Sequence, residues 1–254
     1  MLRGIYTVAA AMVTAGEQLD VTSHNLANVD TAGFKRDLLQ YSSEPVMQLY
    51  RVERRNSESL NSRLGPVSTG TLDTAVFTDF APGILQVTNR PLDAAVGAEG
   101  FFVVSDGTRE LYTRAGNFTL SADGVLVTQQ GYTVEGTGGP IEVGARTSLS
   151  LGEGGEVFGD GELVGQLRVV SFADPQLLEK AGGNAFAAPA GVLPEPVLFP
   201  RIIPGALEKS NANVVDEMVR LITIMRHFEA AQKVVLTADE TMAEAVTKVG
   251  VVNQ

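Results

Sequence analysis

Large apolar residues return every seven positions at both ends of this chain. Near the N-terminus they are Ile5, Met12, Leu19 and Leu26, and near the C-terminus Val214, Leu221, Phe228, Val235, Met242 and Val249. Small residues accompany them, Ala9, Ala15 and Gly16 early and Ala231, Ala238 and Ala245 late. A seven-residue apolar repeat marks a helix that buries one narrow seam against other helices. The pattern predicts one helix over about residues 3–27 and a second over about residues 211–249, with Ser210 or Asn211 as its cap. The second would be about 58 Å long at 1.5 Å per residue. A short helix cannot cover a long one, so the two can pair as a hairpin and still leave seam for other copies of the chain.

The middle follows another pattern. No proline occurs in residues 1–44 or 205–254, all 11 lie between Pro45 and Pro204, and residues 65–204 hold 22 of the 27 glycines. Proline breaks helix interiors and glycine weakens them. Asp106-Gly107, Asp123-Gly124 and Asp160-Gly161 are hairpin-turn dipeptides flanked by apolar or alternating runs such as Phe101-Phe102-Val103-Val104 and Val125-Leu126-Val127. Residues 181–204, rich in Ala, Gly and Pro, read as an irregular return toward the helical end. Residues 37–64, with the polar run Arg54-Arg55-Asn56-Ser57-Glu58-Ser59, read as an adaptable connector. The fold class expected is α+β. Residues 1–36 and 205–254 form a discontinuous helical coiled-coil domain, residues 37–64 a connector, and residues 65–204 a mainly antiparallel β domain.

Charge and composition narrow the function. The net charge is −11, and residues 65–204 carry most of it, with 16 acidic and 7 basic side chains for a net of −9. An acidic body repels phosphate backbones, which argues against nucleic-acid binding, while near-neutral ends can pack against like copies at little electrostatic cost. Cysteine is absent, so disulfides and thiolate chemistry are excluded. The two histidines, His24 and His227, each fall inside a predicted helix, and no His or carboxylate spacing suits a metal. Gly152-Glu153-Gly154-Gly155 lacks the lysine and helix of a phosphate loop. No catalytic residue, cofactor or metal is expected. No apolar run reaches the ~20 residues of a membrane span. Arg3 followed by residues 5–15 resembles a short secretory signal, but Tyr6, Thr7 and Thr14 interrupt it and the heptad runs through the would-be cleavage point. The end is therefore expected to stay uncleaved. The rival reading, a secreted β-domain binding module or adhesin with helical ends, requires that cleavage.

Three stretches carry a resemblance. Ser23-His24-Asn25-Leu26-Ala27-Asn28-Val29-Asp30-Thr31-Ala32-Gly33-Phe34-Lys35-Arg36 resembles the signature after the first helix of the flagellar rod and hook proteins, on Asn25, Asn28, Thr31, Gly33 and Phe34. Ala32 stands where that family often has Pro. Residues 205–211 with Val214, Glu217, Met218, Arg226, Phe228, Glu229 and Lys233 resemble its C-terminal signature, except that Ala231 replaces a usual Asn. Between them, Leu92-Asp93-Ala94-Ala95-Val96, Gly100-Phe101-Phe102, Tyr112-Thr113-Arg114 and Gly116-Asn117-Phe118 resemble its shared β domain. The length suits the distal rod protein or its proximal paralogue.

The resemblance implies a structural subunit of the basal-body rod in the cell envelope. Such a subunit is exported through the flagellar type III apparatus without signal cleavage. It polymerises with itself and with other rod and hook proteins into a helical tube that transmits motor torque. The assembly residues it implies are Asn25, Asn28, Thr31, Gly33, Phe34, Ser210, Asn211, Glu217, Met218, Arg226, Phe228 and Glu229. Each also has a plain local reading. Asn25, Asn28 and Thr31 can cap the helix end within one chain. Glu217, Arg226 and Glu229 can lie on a solvated face, Arg226 pairing with Glu229 one turn on for only ~0.2–0.5 kcal/mol.

Overall fold

The computed structural model describes residues 2–42, 46–55, 58–68, 73–97, 100–144, 146 and 148–251. The chain divides into two compact units. The first joins Met1–Leu26, Asp37–Phe77 and Val214–Gln254, and the second joins Ala27–Arg36 and Thr78–Asn213.

The first unit holds both helices, α1 Leu2–Ala27 and α2 Val214–Val251. The absence of proline lets each run unbroken, and Asp216 and Glu217 in the first turn of α2 suit the positive end of its dipole. Threonines inside α2 are satisfied locally: the hydroxyls of Thr223, Thr237 and Thr241 donate to the carbonyls of Val219, Lys233 and Thr237, each four residues back. The same unit contains strands β1 Asp37–Ser42, β2 Val46–Arg55, β3 Glu58–Ser68 and β4 Asp73–Thr78. β2 and β3 form a long antiparallel hairpin in which Arg55 pairs with Glu58, and β1 pairs with β4.

The described residues of the stretch 37–64, expected from its polarity to be a connector, lie in β1, β2 and β3. An antiparallel pair satisfies its backbone across the ladder, so a polar sequence can still form one.

The second unit is β-built. Its strands are β5 Leu85–Val87, β6 Ala94–Val96, β7 Phe101–Ser105, β8 Glu110–Thr113, β9 Thr119–Leu120, β10 Leu126–Val127, β11 Thr133–Gly136, β12 Gly139–Pro140, β13 Leu149–Leu151, β14 Glu156–Gly159, β15 Glu162–Gln166, β16 Val169–Ser171, β17 Glu179–Gly182, β18 Ala185–Ala187, β19 Glu195–Pro196, β20 Ile202–Pro204 and β21 Ala206–Glu208. The main sheet runs β17-β18-β8-β7-β11-β10-β9, with β16 also on β7. Every pairing is antiparallel, as the hairpin dipeptides require. Asp106-Gly107 joins β7 to β8, Asp123-Gly124 joins β9 to β10, and Asp160-Gly161 joins β14 to β15, with Asp160 at φ 52° and Gly161 at φ 84° as a two-residue hairpin turn needs. Residues 181–204, expected to be irregular, contribute β18, β19 and β20.

β7 is the centre of this unit. Its alternation sends Phe102 and Val104 to one core, with Phe118, Leu126, Val134, Leu167 and Ile202. Phe101 and Val103 go to a second, with Tyr112, Val170, Phe172 and Phe186. Each core holds an edge-to-face aromatic pair, Phe102 on Phe118 at 5.1 Å in the first and Tyr112 on Phe172 at 4.8 Å between centroids in the second.

Candidate functional site

Two surfaces gather the residues singled out by sequence. One is the pair of helices. Along α1, Ile5, Val8, Met12, Ala15, Leu19, Thr22 and Leu26 are all half-buried or buried and are spaced alternately three and four apart, with Ala10, Thr14, Gly16, Glu17, Gln18, Val21, Ser23 and Asn25 also less than exposed beside them. Along α2 the less exposed positions are Glu217, Leu221, Ile224, Ala231, Val235, Ala238 and Met242, with Phe228 at the margin of exposure. Both sets are seams of the heptad kind, and from Phe228 on the α2 seam alternates the large residues of one position with the small residues of the next. Val214, the first residue of α2, is exposed, and the side chain of Val249 lies outside the described residues.

Glu217 departs from expectation. It is buried at 1% exposure, so it is not part of a solvated face, whereas Arg226 and Glu229 are exposed. Met218 is also exposed. It belongs to a second apolar stripe of α2, Val215, Met218, Val219, Ile222 and Met225, all exposed. At 100° per residue this stripe stands roughly 140° around the helix from the seam.

The end of α1 is tied by amides. Asn25 is buried; its Nδ2 donates to the Asp37 carbonyl at 2.8 Å, and its Oδ1 accepts from the Asp37 N–H at 2.8 Å. The pair mimics a strand ladder and fastens the helix end to the start of β1. Asn28 and Thr31 hold the turn that follows: the Thr31 N–H donates to the Asn28 carbonyl at 3.1 Å and the Thr31 hydroxyl to Asn28 Oδ1 at 3.1 Å. These are bonds within one chain. His24 stands with Nδ1 3.8 Å from an Asp37 carboxylate oxygen.

The second surface is the junction where loop 31–36 and the stretch before α2 meet, inside the β-built unit. Gly33 adopts φ 66°, and a Cβ there would lie 2.4 Å from the Ala115 nitrogen, so only glycine fits. Its N–H donates to the Glu208 carbonyl at 2.7 Å, and Asn184 Nδ2 donates to the Ala32 carbonyl at 2.6 Å. The Phe34 ring is buried with Lys180 Nζ 4.6 Å from its centroid, a cation–π contact. Asn211 bridges three segments. Its Oδ1 accepts from the Arg36 N–H at 2.8 Å, and its Nδ2 donates to the carbonyls of Asp79 at 2.7 Å and Ala81 at 3.1 Å. Ser210 Oγ accepts from the Ala212 N–H at 3.1 Å. Neither Ser210 nor Asn211 caps the last helix, because α2 begins at Val214. The cap position falls to Asn213, and Asn211 is committed to the junction.

At the heart of the junction lies a buried ion cluster that the sequence did not announce. Lys35 is fully buried; its Nζ donates to Glu208 Oε1 at 2.5 Å and to the Ala81 carbonyl at 2.8 Å. Glu208, at 2% exposure, also accepts the Gly83 N–H at 2.8 Å, and Arg114 Nη1 stands 3.5 Å from its other oxygen. The Arg114 guanidinium lies 5.0 Å over the Phe101 ring. Burial pushes the Lys35 ammonium below its ordinary value, and Glu208 opposes that shift. At Asp79 burial pushes the carboxyl up, but the Ala81 N–H and the Arg36 guanidinium, 2.9 Å away, outweigh it and hold the group below the usual carboxylate range. A groove of about 540 Å³ lined by Phe80, Pro82, Leu85, Val96, Arg114 and Glu208 opens beside the cluster. The partners Lys35 and Glu208 lie 173 residues apart, so no spacing rule could have joined them. The only local signal is strand alternation at β21, which buries Ala206 and Glu208 on the same face. Among the described residues no group of His, Asp or Glu could hold a metal ion, and no helix is long and apolar enough to cross a membrane.

Comparison with known proteins follows the same three stretches. The family model "Flagella basal body rod protein" matches residues 5–35, "Flagellar hook protein FlgE/F/G D1 domain" matches residues 95–159, and "Flagellar basal body rod FlgEFG protein C-terminal" matches residues 203–247. The chain is 33% identical to the flagellar basal-body rod protein FlgG of Bacillus subtilis over 97% of its own length and 98% of that protein. It is 31% identical to the flagellar basal-body rod protein FlgF of Caulobacter vibrioides over 100% of both chains. It is 34% identical to FlgF of Salmonella typhimurium over 96% of this chain and 97% of that one.

Proposed function

Since the chain belongs to the flagellar basal-body rod protein family, we propose that it polymerises with its own copies, through its two terminal helices, into the helical tube of the rod. It is a structural protein of the flagellar basal body, associated with other rod and hook proteins. The rival adhesin reading has no support among these relatives.

One observation carries the polymer. α2 has two apolar stripes, one forming a half-buried seam and one, Val215 with Met218, Val219, Ile222 and Met225, left exposed. A helix with one seam pairs once. A helix with two seams roughly 140° apart has a place for a neighbour on each side, and neighbours repeated head to tail without closure build a filament. In this role the chain transmits torque by rigidity and performs no chemistry. Its first helix carries its heptad through the N-terminal residues, which suits export by the flagellar apparatus with that end intact.

The test is a strain lacking this chain, complemented with the parent or with Ile222→Asp. Electron microscopy of basal bodies should show complete rods with the parent and truncated rods with the variant, whose purified subunit melts like the parent. Full-length rods from Ile222→Asp would overturn the role of the exposed stripe. Normal basal bodies in the uncomplemented strain would overturn the rod function itself. N-terminal sequencing of rod-incorporated chain tests the export reading, which expects Met1 or Leu2 and is refuted by a start at Gly16.

A further inference from the structure

We propose that residues 205–211 are a keystone: loop 31–36 docks on the β-built unit only when this late segment of the chain is in place, so a chain cut short at its C-terminal end cannot present a closed junction. The docking is a property of the single chain. Its use in admitting only complete chains to assembly rests on the rod reading above.

The geometry of residues 205–211 carries this. They lie between loop 31–36 on one side and residues 79–87 on the other, bonded to both. Toward the loop, the Glu208 carbonyl accepts from Gly33 at 2.7 Å, the Asn211 N–H donates to the Phe34 carbonyl at 3.4 Å, and Asn211 Oδ1 accepts from Arg36 at 2.8 Å. Toward the other side, β21 pairs with β5 with Ala206 opposite Val87, and the Lys209 N–H donates to the Ile84 carbonyl at 2.9 Å. The Gly83 N–H donates to Glu208 Oε1, and Asn211 Nδ2 donates to the carbonyls of Asp79 and Ala81.

Charge makes the keystone obligatory. Lys35 is fully buried, and Glu208 is the carboxylate on its ammonium. With residues 205–211 absent, docking the loop would bury a lone cation, which costs far more than the loop's own bonds return. The loop must then stay out, Lys35 in water, until Glu208 arrives. The body core does not wait for this event. β7, β8, β11 and β18 pair among themselves, and their cores are filled chiefly by residues 94–187.

The experiment uses the full chain and amide hydrogen exchange. Glu208→Gln keeps an acceptor for Gly83 and removes the charge. Protection at Gly33 and Arg36 should fall about a hundredfold, while the Val103 amide, bonded to the Arg168 carbonyl at 3.1 Å in the core, keeps its protection. Adding Lys35→Met to Glu208→Gln removes the cation that the loop carries in, leaves Arg114 over the Phe101 ring in the body, and should restore protection at Gly33 and Arg36. Unchanged protection there in Glu208→Gln, loss in step with Val103, or failure of the double variant to recover would each overturn the keystone. In the complemented strain, Glu208→Gln should give truncated rods and the double variant longer ones. Full rods from a chain whose loop is undocked would overturn its use in selecting complete chains. A parent chain that builds no rods would instead indict the rod reading, with the exchange result untouched.

Discussion

β7 and α2 are both rich in apolar residues, and they differ in what covers them. In β7 every residue from Phe101 to Val104 is buried, one face against each core. In α2, Val215, Val219, Ile222, Val234, Leu236 and Val246 are all more than half exposed. A strand at the centre of a sheet finds neighbours on both edges and both faces within its own chain. A helix of 38 residues, about 57 Å long, outreaches anything its own unit can lay along it. The two cores of the β-built unit are filled by its own strands. The second apolar stripe of α2 is exposed and open to other molecules, and this divides stability from assembly.

Substitutions on the two sides should therefore separate two measurements. Phe102→Ala removes a fully buried ring from the centre of the sheet and should lower subunit stability by roughly 3–5 kcal/mol in denaturant unfolding. A loss under about 1 kcal/mol would mean that the core is not the seat of stability. Gly33→Ala places a Cβ against the Ala115 backbone at positive φ and should cost about 1–3 kcal/mol, seen as lost exchange protection around the junction before global unfolding. Tolerance of alanine there would show that the junction is not rigid.

Acid should act next, and more locally. The folded chain holds the Asp79 carboxyl below its ordinary 3.8, so unfolding takes up a proton on acidification. The stabilisation is fully present above about pH 4 and fades as pH falls through the lowered value. Asp79→Asn should flatten that part of the acid limb of a stability profile, and an unaltered limb would assign it to other carboxylates. Ile222→Ser, on the exposed stripe, should change subunit stability by no more than about 0.5 kcal/mol and still shorten rods. A large fall in subunit stability would erase the contrast between β7 and α2.

The helices were legible because periodicity is local. Heptad spacing placed α1 over about residues 3–27, and it spans Leu2–Ala27, while the absence of proline after Gly205 allowed α2 to run to residue 251. Hairpins at Asp106, Asp123 and Asp160 were legible for the same reason, since a short turn is fixed by its own residues, two at Asp160-Gly161 and four or five at the others. The strands within residues 37–64 were not legible from their polarity, because strand pairing depends on a partner that composition does not name. Asn211 misled because an amide before a helix looks like a cap. Its oxygen and nitrogen are drawn instead to Arg36, Asp79 and Ala81, distant in sequence. Of the two readings open to Glu217, an assembly contact or a solvated face, its burial rules out the solvated face.

By itself, then, the sequence determined the heptad ends, the acidic strand-and-turn middle and, through its three signatures, the family. These rest on interactions within a few residues or on patterns repeated along the chain. Tertiary structure alone decided that Lys35 and Arg114 both meet Glu208, that Asn211 holds three segments together, and which of two apolar stripes on α2 stays uncovered. Those outcomes depend on groups up to 173 residues apart sharing one desolvated volume, where a buried charge must find its partner because water is no longer there to replace it.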